Sequence, residues 1–237
     1  MESSRGMSKN HFDAIIACAM EEESAPFVSA LRNRKENSVH SIEGAIAGKR
    51  VLLLTTGIGL TNAAIAATNA GKNVSTDLYI LAGSCGGLGE QVRVGDVVAG
   101  TFAQYSFADA TAFGYEMGQI PGMPVRYESR HKDYEIPADH VGLVLSGNSF
   151  VTADIAEAVR DNFPLALAVD METAAAAQVA YRTGIESWCG FSVNMDWLCL
   201  RAVSDLCGPR AGEDFHIGLD IAAVKSRDAV VTYLEEL

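Results

Sequence analysis

The run Leu198-Cys199-Leu200-Arg201-Ala202-Val203-Ser204-Asp205 joins strand-like residues to two ionisable groups. Its mostly apolar residues read as a buried strand. Arg201 lies inside that strand and Asp205 closes it. Charged side chains are rarely buried without a partner, and open α/β sheets bind ligands at the C-terminal ends of their strands. A carboxyl desolvated there holds its proton near neutral pH and can act as a general acid. An aspartate capping the following turn accounts for this segment equally well. Two further acid groups follow strand-like runs: Met20-Glu21-Glu22-Glu23 and Val169-Asp170-Met171-Glu172-Thr173. The helix dipole favours acids in a first helical turn, so each group alone has a purely structural explanation. Three acid-bearing strand ends at one edge of a parallel sheet are harder to attribute to capping.

Two Gly-rich stretches also follow strands, Gly57-Ile58-Gly59 and Gly83-Ser84-Cys85-Gly86-Gly87. They read as turns that permit close backbone approach to a ligand. Neither matches a phosphate-loop pattern. No Lys or Arg occurs from Val51 to Gly71 or from Asn73 to Val92, so a phosphate would lack the cation such sites often supply. These cradles suit a neutral sugar or a water better.

The elements that must position these groups alternate along the chain. Asp13–Ala19, Val39–Ile46, Arg50–Thr55, Asp77–Leu81, Asp96–Phe102, Val141–Ser146, Ala166–Asp170 and Leu198–Val203 read as strands. Glu21–Arg34, Leu60–Ala70, Thr152–Asn162, Thr173–Arg182 and Phe215–Leu237 read as helices. This order predicts an α/β fold, a single domain with a mixed, mostly parallel central sheet flanked by helices. Ala103–Asp139 gathers many aromatics and prolines and reads as a long irregular excursion, of the kind that usually serves a function.

The 237 residues suit one domain. Met1–Asn10 reads as a disordered lead or a leftover of an expression vector, and residues 11–237 as the domain. Apolar residues make up 49% and charged residues 20%, ordinary values for a globular protein. A net charge of −12 argues against a nucleic-acid or anionic-membrane partner. No apolar run has membrane-spanning length. The five cysteines form no Cys-x-x-Cys pair, and the five histidines show no zinc-like spacing. We therefore expect a reducing cytoplasm and no structural metal.

Taken in order, several motifs resemble those of bacterial 5′-methylthioadenosine/S-adenosylhomocysteine nucleosidases, in the nucleoside phosphorylase superfamily. They are Ala19-Met20-Glu21-Glu22-Glu23, Gly57-Ile58-Gly59, Gly83-Ser84-x-Gly86-Gly87, Thr111-Ala112-Phe113-Gly114-Tyr115-Glu116-x-Gly118-Gln119-x-Pro121-Gly122, Ser146-Gly147, Met171-Glu172 and Arg201-Ala202-Val203-Ser204-Asp205. The match spans residues 12–237. The resemblance implies a cytoplasmic homodimer that hydrolyses an N-glycosidic bond, releasing adenine and a 5-alkylthioribose without a cofactor. By motif position it makes Glu23 the base that activates water and Asp205 the acid that protonates adenine N7. Glu172, next to Met171, would hold the ribose hydroxyls, and Ser84 and Arg201 would orient the water. Phe150 and Val151 would face adenine and Phe215 would cover it. Met20, Ile58, Gly86 and Ser204 would complete the substrate site. Phe113 and Pro121 would reach across the dimer into the partner's 5′-thio pocket. Two carboxyls in unlike environments suit this reaction, one protonating the leaving base and one activating water at a cation-like sugar.

The sequence departs from the family pattern in two places. The segment Gly184–Trp197 is longer than the usual short turn and is expected to loop out, leaving the Arg201–Asp205 strand in register. Ser106-Phe107 replaces a frequent His-Asp step near the expected interface. Three other readings stay open: a nucleoside phosphorylase, a non-catalytic purine-nucleoside binder, and a hydrolase of aminofutalosine. The sequence leaves the 5′-substituent open, 5′-deoxyadenosine included.

Overall fold

In the computed structural model, which describes residues 10–133, 135–185 and 195–237, strands and helices alternate throughout. Asn10–Phe12 (β1) leads into Ala14–Cys18 (β2), whose residues are all buried. Asn10, read from sequence as part of the lead, already pairs with Val74. Glu21–Ala30 (α1) is followed by Arg32–Ser38 (β3), Ser41–Ile46 (β4), Lys49–Thr55 (β5), Leu60–Asn73 (α2) and Val74–Thr76 (β6). Next come Leu78–Gly87 (β7), Val97–Tyr105 (β8), Tyr127–Glu128 (β9), His140–Ser146 (β10) and Ala153–Asn162 (α3). Ala166–Asp170 (β11), Thr173–Ile185 (α4), Asp196–Asp205 (β12) and Ala211–Glu236 (α5) complete the fold.

Among the described residues the main sheet runs β11-β10-β8-β12-β7-β2-β5-β4-β3, with β9 beside β8. It mixes parallel pairs, such as β12 with β7 and β2 with β5, with antiparallel ones, such as β12 with β8. β11 also pairs antiparallel with β7, through Ala168 opposite Gly87 and Val169 opposite Gly86, so one end of the sheet closes on itself. That closure matters for the site. The sequence reading gathered the acids at one edge of a parallel sheet. In the structure the strand leading to Glu172 runs against the strand carrying Ser84, and the acids meet where the two cross.

Helices cover both faces. Phe27 of α1 and Val230, Tyr233 and Leu234 of α5 pack on Ile16, Ile80, Leu198 and Leu200. On the other face Ala174, Ala176 and Ala177 of α4 pack with Ile15, Leu81 and Trp197. The small alanines let α4 sit close to the sheet, which brings its N-terminus, beside Glu172, to the strand ends.

Of the element boundaries that differ from the sequence reading, three bear on the sheet and the site. The helix expected to run to Arg34 stops at Ala30, and β3 follows as an edge strand. All of β3 is exposed, so it shows no burial alternation to read, and its Arg and Lys residues protect an open edge. The glycines Gly83 to Gly87, read as a turn, instead extend β7 to the site. β12 starts at Asp196, two residues earlier than expected. From Asp196 to Val203 it stays in step with Leu78 to Cys85, and Trp197, counted with the extra segment, is a core residue of the strand. Most of that segment lies outside the described residues. Ala103–Asp139 is largely irregular after β8, as expected, with brief 3₁₀ turns at Thr111–Phe113 and Arg130–Asp133.

Candidate active site

Of the three consecutive glutamates, only Glu23 is buried, because α1 turns that face towards the sheet. Its carboxylate reaches back over the end of β2. Oε2 accepts from the backbone N–H of Ala19 (2.9 Å) and Met20 (3.3 Å). Oε1 accepts from both the N–H and the hydroxyl of Ser84, each at 2.8 Å. Four donors thus fix its position. Gly83 makes this possible: it adopts φ 129°, and a Cβ there would fall 2.4 Å from the Glu23 carboxyl carbon.

Arg201 is fully enclosed and serves as the hub of the acids. Its Nη1 donates to the Ser84 carbonyl (2.8 Å) and its Nη2 to Glu172 Oε2 (3.1 Å). Nε lies 3.1 Å from Asp170 Oδ2, and Nη1 lies 3.8 Å from Glu23 Oε1. Arg201 and Asp205, adjacent in the sequence motif, are not partners. Glu172 also accepts from the Gly59 N–H (2.8 Å), so the Gly57–Gly59 turn holds a side chain of the protein itself. Burial pushes the Glu172 carboxyl up to about 7; Arg201 opposes this and Asp170 reinforces it.

Asp170 belongs to the same cluster, and the assignment of roles by sequence passed over it. It accepts from the Ser146 hydroxyl (2.5 Å), from the Thr173 hydroxyl, and from the N–H groups of Glu172 and Thr173 at 3.1 Å each. It therefore caps α4 while facing Arg201. Its place between a strand and Met171-Glu172 was the signal that could have found it.

Asp205 ends β12 in different surroundings. Oδ1 accepts from the Cys207 N–H (2.9 Å) and Oδ2 from the Ser204 hydroxyl (3.0 Å). Desolvation raises its carboxyl above the ordinary range, against these two bonds. Cys207 adopts the left-handed φ of 53° that aims its N–H at the carboxylate. Burial, with the nearby Asp205, pushes its thiol up to about 12. This residue, too, is absent from the sequence-derived set.

These groups line one cavity of about 190 Å³. Ser84, Gly86, Ser204 and Arg201 line it with the acids, as do Met20, Met171 and Val151. Phe150 and Phe215 meet edge to face at 5.6 Å, and with Ile58 they contribute partly exposed apolar surface. Phe113 and Pro121 are not part of it. Phe113 is 83% exposed and Pro121 is exposed, both on the excursion. Among the described residues no group of His, Cys, Asp and Glu is arranged to hold a metal ion.

Residues 13–235 match the phosphorylase superfamily. A 5′-methylthioadenosine/S-adenosylhomocysteine nucleosidase of Staphylococcus aureus is 36% identical, over 94% of this chain and 99% of its own. The nucleosidase of Neisseria meningitidis, solved with methylthio-immucillin-A, superposes with a TM-score of 0.84 at 34% identity, covering 94% and 99% of the two chains. That of Streptococcus pneumoniae, solved with 8-aminoadenine, gives 0.83 at 33% identity, covering 95% and 100%. The chain belongs to the phosphorylase superfamily and, within it, to the 5′-methylthioadenosine/S-adenosylhomocysteine nucleosidases.

Proposed function

We propose that the protein hydrolyses the N-glycosidic bond of 5′-methylthioadenosine and S-adenosylhomocysteine, releasing adenine and a 5-alkylthioribose. The observation that carries this is the placement of Glu23, Glu172 and Asp205 in one cavity with unlike partners. In this reading the purine lies against Phe150 and Val151 under Phe215. Asp205, whose carboxyl desolvation raises against its two hydrogen-bond donors, supplies the proton to adenine N7. Glu172 accepts from the ribose hydroxyls. Glu23, fixed by its four donors, takes a proton from a water that attacks the anomeric carbon as the C–N bond breaks. The carboxylates also favour positive charge developing on the sugar. Met20, Ile58, Gly86, Met171 and Ser204 shape the pocket around these groups.

Arg201 weighs against phosphorolysis. The sequence argument relied on a lack of cations near the Gly-rich stretches, yet Arg201 arrives there from β12. Glu172 and Asp170 engage it, and three carboxylates around one guanidinium leave no net positive charge to attract a phosphate dianion.

The reading extends to a single domain over residues 11–237 that works as a cytoplasmic homodimer. No helix among the described residues is long and apolar enough to cross a membrane. A broad groove beside the site, lined by Ile65, Phe107, Ile120, Met123 and Val179, offers the apolar surface that a two-fold contact buries. Phe113 and Pro121 would then enter the neighbour's 5′ pocket.

The test is adenine release from methylthioadenosine, adenosylhomocysteine, 5′-deoxyadenosine and aminofutalosine, with and without phosphate. We expect release of free sugar in phosphate-free buffer, fastest with the two thio-substrates. A strict phosphate requirement with a sugar 1-phosphate product overturns hydrolysis; preference for aminofutalosine overturns the substrate assignment.

A further inference from the structure

Ser226 lies near the middle of α5, fully buried, far along the chain from every motif used above. A mid-helix serine ordinarily bonds back to its own preceding turn. This one turns to the sheet. Its hydroxyl donates to the Leu200 carbonyl on β12 at 2.6 Å and accepts from the Gly83 N–H on β7 at 2.9 Å. Leu200 immediately precedes Arg201, and Gly83 immediately precedes Ser84. One hydroxyl therefore ties together two strands, each one residue before a side chain of the site.

The contacts close into a ring. Ser226 holds Gly83; the next residue, Ser84, gives both its N–H and its hydroxyl to Glu23 Oε1. The Ser84 carbonyl accepts from Arg201 Nη1, and Arg201 follows Leu200, which Ser226 also holds. Gly83 itself sits at φ 129° directly beneath the Glu23 carboxylate. Glycine takes that φ without steric cost, so hydrogen bonds must fix the backbone there. Helix α5 is closely seated here, since a Cβ on Gly218 would fall 2.4 Å from the Ser204 carbonyl oxygen.

We infer that Ser226 is a positioning residue for Glu23: its hydroxyl fixes the Gly83 backbone that receives the carboxylate and aims Ser84 at it. The inference rests on the reading of Glu23 as the water-activating base. Without the hydroxyl, the Gly83 N–H is buried and unpaired, and β7 shifts to satisfy it. Displacement of a catalytic group by about 1 Å costs on the order of 10²-fold in rate.

The test compares Ser226→Ala and Ser226→Cys with the wild-type protein. Cysteine fills the site with a slightly larger group and replaces the hydroxyl with a weak hydrogen-bonding one. We expect kcat to fall by about 10- to 100-fold in the alanine variant and by less in the cysteine variant. Affinity for adenine, which sits against Phe150, Val151 and Asp205, should stay within about threefold. Amide exchange followed by mass spectrometry should quicken over residues 80–86 and stay unchanged in β2. A folded Ser226→Ala protein with kcat within twofold of wild type overturns the role. If alanine does not fold, the cysteine variant is judged by the same criterion. Failure of the wild type itself to release adenine overturns the hydrolase reading instead, and the exchange measurement still decides whether Ser226 fixes the Gly83 segment.

Discussion

Glu172 and Asp205 line one cavity, both are buried, and burial raises the carboxyl of each, yet their neighbours differ in kind. Around Glu172 the charges are dense: Arg201 touches it, and Asp170 and Glu23 stand on the other sides of that guanidinium. Around Asp205 the bonding partners are a backbone N–H and a serine hydroxyl, both neutral. A carboxyl beside a cation can ionise when a ligand rewards it with donors. Among the described residues Asp205 has no cation against it: desolvation, with Asp214 nearby, raises its carboxyl, and the two donated hydrogen bonds oppose that rise. In the proposed reading the two ends divide the work, the first accepting hydroxyls beside a cation-like sugar, the second giving a proton to the base. The partners of each residue, more than its type, set the division.

The strongest way to break the comparison is to remove the chemistry at each end. Asp205→Asn keeps the shape and removes the acid, and Glu23→Gln does the same to the base. Each should lower turnover by about 10²- to 10⁴-fold with the fold intact. Circular dichroism and an adenine-release assay check both. Near-normal turnover in the Asp205 variant would mean that another group protonates the leaving base.

Asp170 probes the charged end through stability. Asp170→Ala removes one counter-charge of Arg201 and the cap of α4. Breaking a buried ion pair costs about 3–5 kcal/mol, and this case should lie at the low end because Glu172 still faces the guanidinium. For a chain of this size that is a fall in Tm of about 6–12 °C. The exposed pair Lys35–Glu43 is the control, since such a pair contributes about 0–1 kcal/mol. Equal Tm shifts for Asp170→Ala and Lys35→Ala would refute the hub.

The pH dependence of binding should separate the two ends by sign. In the proposed reading Glu172 accepts ribose hydroxyls as a carboxylate, and burial, which raises its pKa to about 7, leaves it increasingly protonated as pH falls below that value. Affinity for a non-cleavable nucleoside should then drop by up to about tenfold per pH unit on the acid side. Glu172→Gln should flatten that limb. If Asp205 donates as an acid, as proposed, affinity for free adenine should instead weaken as pH rises through its elevated pKa. Calorimetric titrations with the two ligands across pH decide the matter, and parallel profiles would show that one group governs both.

How far the sequence foretold this site depends on distance along the chain. The strand Ala166–Asp170 and the ends carrying Glu23, Glu172 and Asp205 were legible, because apolar runs closing on acids are local patterns. Asp170 was visible in the same run, but its role depends on Arg201, 31 positions away and brought close only by the sheet. Ser226 gave no local signal at all, since its two partners come from separate strands. β3 was missed for a different reason: an edge strand exposed throughout has no periodic burial to betray it. The family resemblance supplied the roles that local pattern could not, and the pocket gathers every residue it named apart from Phe113 and Pro121.

Those two residues give the smallest expected effect and the sharpest contrast with the buried ends. Phe113 closes a short 3₁₀ turn, fixed by Asp109 accepting from the Thr111 N–H and hydroxyl and ended by Gly114 in a left-handed conformation. The turn is thus well built, yet its aromatic ring stands in water within one protomer. An ordered turn that presents a phenyl ring outward suits a contact with a second copy. If that copy uses the ring to close its 5′ pocket, Phe113→Ala should weaken a 5′-alkylthio nucleoside by about three- to tenfold, in the range of burying part of one apolar side chain. Adenine, which does not reach that pocket, should bind unchanged. Light scattering should report a dimer for the wild type at assay concentration. Equal losses for both ligands, or a fully active monomer, would remove the partner from the site and leave Phe113 without a role.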